Sequence, residues 1–274
     1  MPELPEVETI RMYLEECLPG RVIRSVTVLL PRLLKNTSPA AFIQALSGST
    51  ITAVSRRGKY LFIHTAGPQG MLIHLRMTGR LVYEAEPQEQ VPSFGRIIFE
   101  LDEGRLIYGD VRTLGCLWLV PAAGSTGISG YDTLGPDGIS PDFTIAYLQR
   151  QLKQCHRPIK SFLLDQTQVA GLGNIYVDEA LFLAGISPHR RCATLGAVRV
   201  KRLHTAIRQV LAAGLEHGGT TVRNFIDGSG REGQNQDYLH VYGREGTPCP
   251  HCGTIIVYEK MAGRGTHYCP KCQK

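Results

Sequence analysis

The spacing of apolar positions divides the chain into distinct textures. Over residues 5–18, Val7, Ile10, Leu14, Cys17 and Leu18 recur at helical intervals and make one apolar stripe. Pro5 suits the first helical position, Glu6 and Glu8 complement the positive end of the helix dipole, and Gly20 is a natural stop. From about residue 22 to 120 the period shortens. The runs VIRSVTVLL, TITAVSRRGKYLFIHT, MLIHLRMTGRLVYEA, GRIIFEL and GRLIYGDVRTLGCLWLV are β-rich and broken by turns such as Asp102-Glu103-Gly104. Successive hairpins with little helix between them predict a β-sandwich. Residues 121–143 are rich in Gly, Pro and Ser and read as a linker. Helical periods return over 143–153, 158–166, 175–184 and 197–216, with Asn174 as the expected N-cap of the third and Gly185 as its C′ residue. Residues 218–236, GGTTVRNFIDGSGREGQNQ, predict a flexible loop, and loops of this length are uncommon unless functional.

At 274 residues, with 43% hydrophobic positions, the chain is long enough for two domains with packed cores. No apolar run approaches the ~20 residues of a membrane span, and the N-terminus lacks the pattern of a signal peptide. A cytoplasmic protein with no membrane partner is the expectation. The net charge of +6 is uneven. Residues 1–150 carry 14 Lys and Arg against 15 Asp and Glu, leaving 16 against 9 for residues 151–274. A basic C-terminal half suits a polyanion such as nucleic acid, although charge alone specifies partners loosely.

Of the eight cysteines, Cys17, Cys116, Cys155 and Cys192 are scattered, whereas Cys249, Cys252, Cys269 and Cys272 form the pairs CPHC and CPKC, sixteen residues apart. Two C-x-x-C pairs at this separation predict a closed tetrahedral site for one structural Zn²⁺ in a reducing compartment. Between them MAGRGTHY reads as a hairpin tip that presents Arg264.

The chain begins MPELPEVETI. An initiator Met before Pro is expected to be removed, which leaves the secondary amine of Pro2 at the terminus. Such an amine has a reference pKa of about 8. Its neutral form is a nucleophile toward an aldehyde-like carbon, and the resulting iminium acts as an electron sink. Glu3 is adjacent and could protonate a leaving or ring oxygen, and Glu6 is a second carboxylate within one turn. Taken alone, these residues fit a chain end with Glu6 as a dipole partner as readily as they fit chemistry.

MPELPEVET at the start, GLGNIYVDEALF in the middle and CPHC…CPKC at the end resemble, in order and over nearly the whole chain, the formamidopyrimidine-DNA glycosylase family. The resemblance implies an α+β multidomain protein. An N-terminal β-sandwich catalytic domain with an N-terminal helix would span 1–125, followed by a linker over 126–143. A helical helix-two-turn-helix domain with a lesion-capping loop would span 144–237, and a zinc-ribbon finger 238–274. Damaged double-stranded DNA would lie in the cleft between domains, bound by a monomer acting in the bacterial cytoplasm at the nucleoid. The implied activity is bifunctional: excision of oxidised purines such as 8-oxoguanine and formamidopyrimidines, then strand cleavage by β,δ-elimination. Pro2 would attack C1′, Glu3 would act as acid and base, Glu6 would support the site, and Lys59 would stand near the lesion phosphate.

Turning a base out of the duplex leaves a gap. The resemblance implies that Met77, Arg112 and Leu114 fill it. The family usually has Phe at the last position and a basic residue where this chain has Thr113. Asn174, Arg264, His74 and Tyr242 would contact the DNA backbone, and Thr220, Thr221 and Arg223 would touch the flipped base. Two other readings compete. One is an endonuclease VIII-like glycosylase for oxidised pyrimidines, in which Gly typically stands where Leu4 is. The other is a non-catalytic zinc-ribbon DNA-binding protein, which would not need the Pro-Glu terminus.

Overall fold

Helix α1 (Leu4–Cys17) starts at a capping box: Glu3 is the N-cap, and its backbone N–H donates to Glu6 Oε2 at 2.7 Å. The apolar stripe is completely buried at Val7, Ile10, Leu14 and Leu18, each worth about 1.5–3 kcal/mol of stabilisation on transfer from water. It packs on a sandwich of two four-stranded antiparallel sheets. One has the order β1 (Ile23–Val28), β6 (Gly95–Leu101), β7 (Arg105–Asp110), β5 (Gly79–Glu84). The other has the order β2 (Ile51–Arg57), β3 (Tyr60–Thr65), β4 (Gln69–His74), β8 (Cys116–Pro121). Leu61, Ile63, Met71, Ile73, Leu81, Ile97, Phe99 and Leu117 form the core with the α1 stripe.

The strand reading of residues 22–120 overlooked one helix, α2 (Pro39–Leu46). Its signal was present: Ser38 caps it by accepting from Ala41 N–H at 3.2 Å, and Pro39 occupies the first turn. A short helix α3 (Ser129–Asp132) lies within the Gly- and Ser-rich stretch.

The computed structural model describes residues 1–222 and 225–274, which group into two compact units. The first comprises Met1–Thr133 and His217–Gln234, the second Leu134–Glu216 and Asn235–Lys274. The polar loop follows the helical segment in sequence but packs on the sandwich in space. Tyr83 N–H donates to Gly228 O at 3.0 Å, and Phe225 joins the sandwich core.

The second unit contains α4 (Ile145–Lys153), α5 (Ile159–Leu163), α6 (Asn174–Ala184) and α7 (Ala197–Glu216), then the hairpin β9 (Val257–Met261) and β10 (Arg264–Tyr268). Between α5 and α6 the Gln166 side chain pins the turns, donating to Leu172 O at 2.8 Å and accepting from Gly171 N–H at 3.0 Å. Helix α6 closes on Gly185, as expected, in the left-handed conformation at φ +67°. Its N-cap is Gly173 rather than Asn174, which is the first helical residue. The Asn174 side chain points to the hairpin, where Nδ2 donates to Gly265 O at 2.9 Å, instead of folding back over its own helix end.

Candidate active site and nucleic-acid interface

In the first unit the expected catalytic residues lie at the start of α1 and at the β2–β3 turn. Pro2, Glu3 and Glu6 are buried, beneath an exposed Met1. A buried carboxylate is costly unless its oxygens are hydrogen-bonded, and both of Glu6's are. Oε2 accepts from Glu3 N–H and Oε1 from Thr220 N–H, each at 2.7 Å. Glu6 thus links the chain terminus to the polar loop.

Two residues further along α1, Glu8 accepts from Arg56 Nε at 2.7 Å, and the same guanidinium donates to Gly58 O at 2.8 Å. Gly58 takes φ +58°, a conformation that glycine adopts without Cβ strain. The turn it makes carries Lys59, which is only 5% exposed. Lysine is almost never buried to that degree without a charged or polar environment to hold it.

His74 ends β4 opposite Tyr60, whose ring meets it edge-on with centroids 4.6 Å apart. Its Nδ1 accepts from Arg76 N–H at 3.0 Å. Burial, with the charges of Arg76 and Lys59, pushes its pKa down to about 3. The imidazole is therefore neutral with its proton on Nε2, a donor suited to a phosphate oxygen.

Met77, Arg112 and Leu114 are brought together on two neighbouring loops. Arg112 Nη1 lies 3.2 Å from Met77 Sδ. Met77 is 45% and Leu114 44% exposed, so neither is a core residue. Sequence reasoning did not single out the residues that hold these loops. Asp110, fully buried, accepts from Thr78 Oγ1 at 2.5 Å and from Gly115 N–H at 2.8 Å. Thr78 Oγ1 in turn accepts from Arg112 N–H at 3.1 Å. An Asp where a strand ends in GDVR was the available signal.

In the polar loop, Thr220 is buried with its N–H engaged by Glu6. Thr221 Oγ1 donates to Phe225 O at 3.0 Å and accepts from Gly233 N–H at 2.9 Å. Arg223 lies outside the described residues.

In the second unit, Asn174, Tyr242 and Arg264 are arranged about β10. Gly265 O receives both Asn174 Nδ2 and Lys160 Nζ, at 2.9 Å each, while Asn174 Oδ1 is buried with no hydrogen-bond partner among the described residues. The Tyr242 ring packs on His267 at 4.9 Å between centroids. Arg264 is exposed at the tip.

Two acids of the GNIYVDEALF stretch, also not singled out from sequence, fix this arrangement. Asp178 Oδ1 accepts from Lys160 Nζ at 2.6 Å and Oδ2 from His267 N–H at 2.9 Å. Glu179 takes the backbone N–H groups of His240, Val241 and Tyr242 at 2.8, 2.8 and 2.9 Å. It also meets His240 Nδ1 at 3.0 Å, a bond that raises the His240 pKa. Adjacent acids inside an apolar helix were the clue, because buried carboxylates need partners.

The thiol sulfurs of Cys249, Cys252, Cys269 and Cys272 all lie within 4.8 Å of one another, with Cys249–Cys272 at 3.9 Å and Cys252–Cys269 at 3.5 Å. The edge of a tetrahedron with Zn–S bonds of about 2.3 Å is about 3.8 Å. The four cysteines fit one Zn²⁺, and four thiolates fill its coordination shell, so the site is structural.

Three family models match successive parts of the chain. They are the formamidopyrimidine-DNA glycosylase N-terminal domain over residues 1–117, its H2TH domain over 134–226, and the zinc finger found in FPG and IleRS over 246–274. A formamidopyrimidine-DNA glycosylase of Pelotomaculum thermopropionicum is 46% identical over 275 residues, covering 100% of this chain and 99% of its own. Among solved structures, MutM in complex with DNA containing carbocyclic 8-oxo-G superposes with a TM-score of 0.92 at 36% identity, with complete coverage of both chains. The wild-type Lactococcus lactis Fpg (MutM) with N7-benzyl-Fapy-dG-containing DNA gives 0.91 at 37% identity, again with complete coverage of both. Together these define a zinc-finger DNA glycosylase of base excision repair. The chain belongs to the formamidopyrimidine-DNA glycosylase family.

Proposed function

We propose that this chain removes oxidised purines from duplex DNA and then cuts the strand, using the amine of Pro2 after loss of Met1. The observation that carries the reading is the buried Pro2-Glu3-Glu6 cluster at the start of α1 in a chain whose full length matches this glycosylase family. In the proposed reaction the Pro2 nitrogen attacks C1′ of the damaged nucleotide. The base departs, and Glu3 delivers a proton to the opening sugar ring. The iminium so formed accepts the electron pair released when a C2′ proton is lost, and the 3′ phosphate leaves. A second elimination expels the 5′ phosphate. Glu6 orients the terminus, and Lys59 and the neutral His74 hold phosphate near the lesion.

Met77, Arg112 and Leu114 fill the space left by the flipped nucleotide, and the polar loop, through Thr220 and Thr221 and with Arg223 as a further candidate from the sequence, takes the extruded base. Asn174, Tyr242 and Arg264 contact the backbone of the strand. The protein works as a monomer in the bacterial cytoplasm at the nucleoid. Among the described residues no helix is long and apolar enough to cross a membrane.

Borohydride trapping on a duplex with one 8-oxoguanine opposite cytosine, followed by peptide mapping, tests this reading. A cross-link at an N-terminal Pro2 is expected. An adduct on thymine glycol DNA alone would move the substrate class to oxidised pyrimidines. Intact DNA binding with no adduct on either duplex would refute amine catalysis.

A further inference from the structure

The loop that carries Arg112 and Leu114 contains a conformational oddity. Thr113 has φ +53°, in the left-handed region that a β-branched side chain avoids. Such a residue persists only where its surroundings impose it. Two constraints act on its neighbours: Arg112 N–H on Thr78 and Gly115 N–H on Asp110. A third reaches Thr113 itself, whose Oγ1 accepts a hydrogen bond from Arg32 Nη2. Arg32 comes from a separate segment, the 3₁₀ turn Pro31–Leu33 after β1.

That turn is rigidly mounted. Leu33 is fully buried, Lys35 N–H donates to Leu117 O at 3.0 Å, and Lys35 Nζ returns to Arg32 O at 2.7 Å. Arg32 is thus anchored to the first residues of β8, directly beyond the loop it holds. Its cationic side chain ends at the position where a basic residue was expected and Thr113 stands instead.

We propose that Arg32 is a positioning residue for lesion probing. Its guanidinium holds Thr113 in the left-handed conformation that turns Arg112 and Leu114 outward, and it restores beside the loop the positive charge that Thr113 lacks. The proposal rests on the glycosylase reading for its consequence but not for its geometry, so the test has two arms.

In the free protein, amide hydrogen exchange of the 111–115 segment reads the geometry alone. Arg32→Ala is expected to speed exchange there about five- to tenfold, the factor that a hydrogen bond of ordinary net strength supports at an exposed site. Exchange elsewhere should stay unchanged, and Arg32→Lys should be intermediate. Unchanged exchange in Arg32→Ala overturns the proposal whatever the activity.

In the second arm, single-turnover excision of 8-oxoguanine is compared with cleavage of a pre-formed abasic site. Arg32→Ala and Thr113→Val should each slow excision more than abasic-site cleavage, and the double variant should be no worse than either alone. Additive losses, or equal losses on both substrates, overturn it. In the Arg32→Ala background, Thr113→Gly relieves the backbone constraint and Thr113→Lys returns the charge. Rescue by either supports the proposal and shows whether conformation or charge matters more, and rescue by neither overturns it. A wild-type protein that excises no lesion would instead refute the glycosylase reading and leave the exchange arm to decide the role of Arg32.

Discussion

Glu179→Gln is the sharpest test of how the second unit is built. The carboxylate is almost completely buried, and each oxygen has two donors. Oε1 accepts from Val241 and Tyr242 N–H at 2.8 and 2.9 Å, and Oε2 meets His240 N–H and Nδ1 at 2.8 and 3.0 Å. Glutamine has nearly the same shape but only one oxygen. If that oxygen stays with Val241 and Tyr242, the amide NH₂ confronts the His240 N–H, donor against donor. If it flips, two backbone N–H groups are stranded instead. At least one hydrogen bond to a charged group is lost in either orientation, and the remaining ones weaken with the charge. At about 1.5–3 kcal/mol for such a bond, the segment should lose about 2–3 kcal/mol.

Native-state hydrogen exchange reads this locally. The 239–243 amides should exchange about 30- to 150-fold faster, at tenfold per 1.4 kcal/mol. Zinc content should be retained, because no cysteine is touched. If Val241 and Tyr242 amides exchange at the wild-type rate in Glu179→Gln, the reasoning that assigns the order of this segment to one carboxylate is wrong. Because the network positions Tyr242 through its backbone N–H, DNA affinity should fall in parallel.

The remaining expectations concern two other buried groups, one pH-sensitive bond and the metal. Asp178→Ala leaves the fully buried Lys160 ammonium without its carboxylate and should destabilise the protein by about 3–5 kcal/mol; the double change Lys160→Met, Asp178→Leu should recover part of the loss in a thermal melt, the rest being the His267 N–H that still lacks its acceptor, and a double variant no better than the single would contradict the assignment. His74 should show an unprotonated Nδ1 and no titration through the neutral range by nitrogen-detected NMR, since its pKa lies at about 3; a midpoint near the ordinary value of about 6.5 would remove the neutral-donor argument. That site costs stability as pH falls from about 6.5 toward 3, because the unfolded chain binds the proton that the folded one refuses. The His240–Glu179 bond has the opposite sign: its raised pKa means the contribution is complete below about 6.5 and disappears as pH rises through the folded value, so protection of the His240 amide should fall at alkaline pH in the wild type and not in Glu179→Ala. Zinc removal by a chelator should unfold the β9–β10 hairpin and abolish DNA binding, measured by anisotropy; retained affinity would show that Arg264 needs no metal to be presented.

How much of this was legible in the sequence depends on the range of the interactions. Helix α1, most of the strands and the cysteine pairs are written in local periodicity and spacing, which a single chain displays directly. Helix α2 was also locally encoded by Ser38-Pro39, but the surrounding β texture masked it. The supports were not legible. Asp110, Asp178 and Glu179 act through backbone amides up to 89 residues away, and no local pattern reveals which amides a buried acid will meet. What the sequence does show is the imbalance: an acid in an apolar run must be paired inside the fold or the fold would not bury it. Thr113 illustrates the complementary limit. Its departure from the family's basic residue was visible as a change of side chain, whereas its left-handed backbone and its bond to Arg32 belong to the folded loop. A substitution that looks like a lost charge in the sequence is, in the structure, one half of a contact whose other half lies 81 residues away.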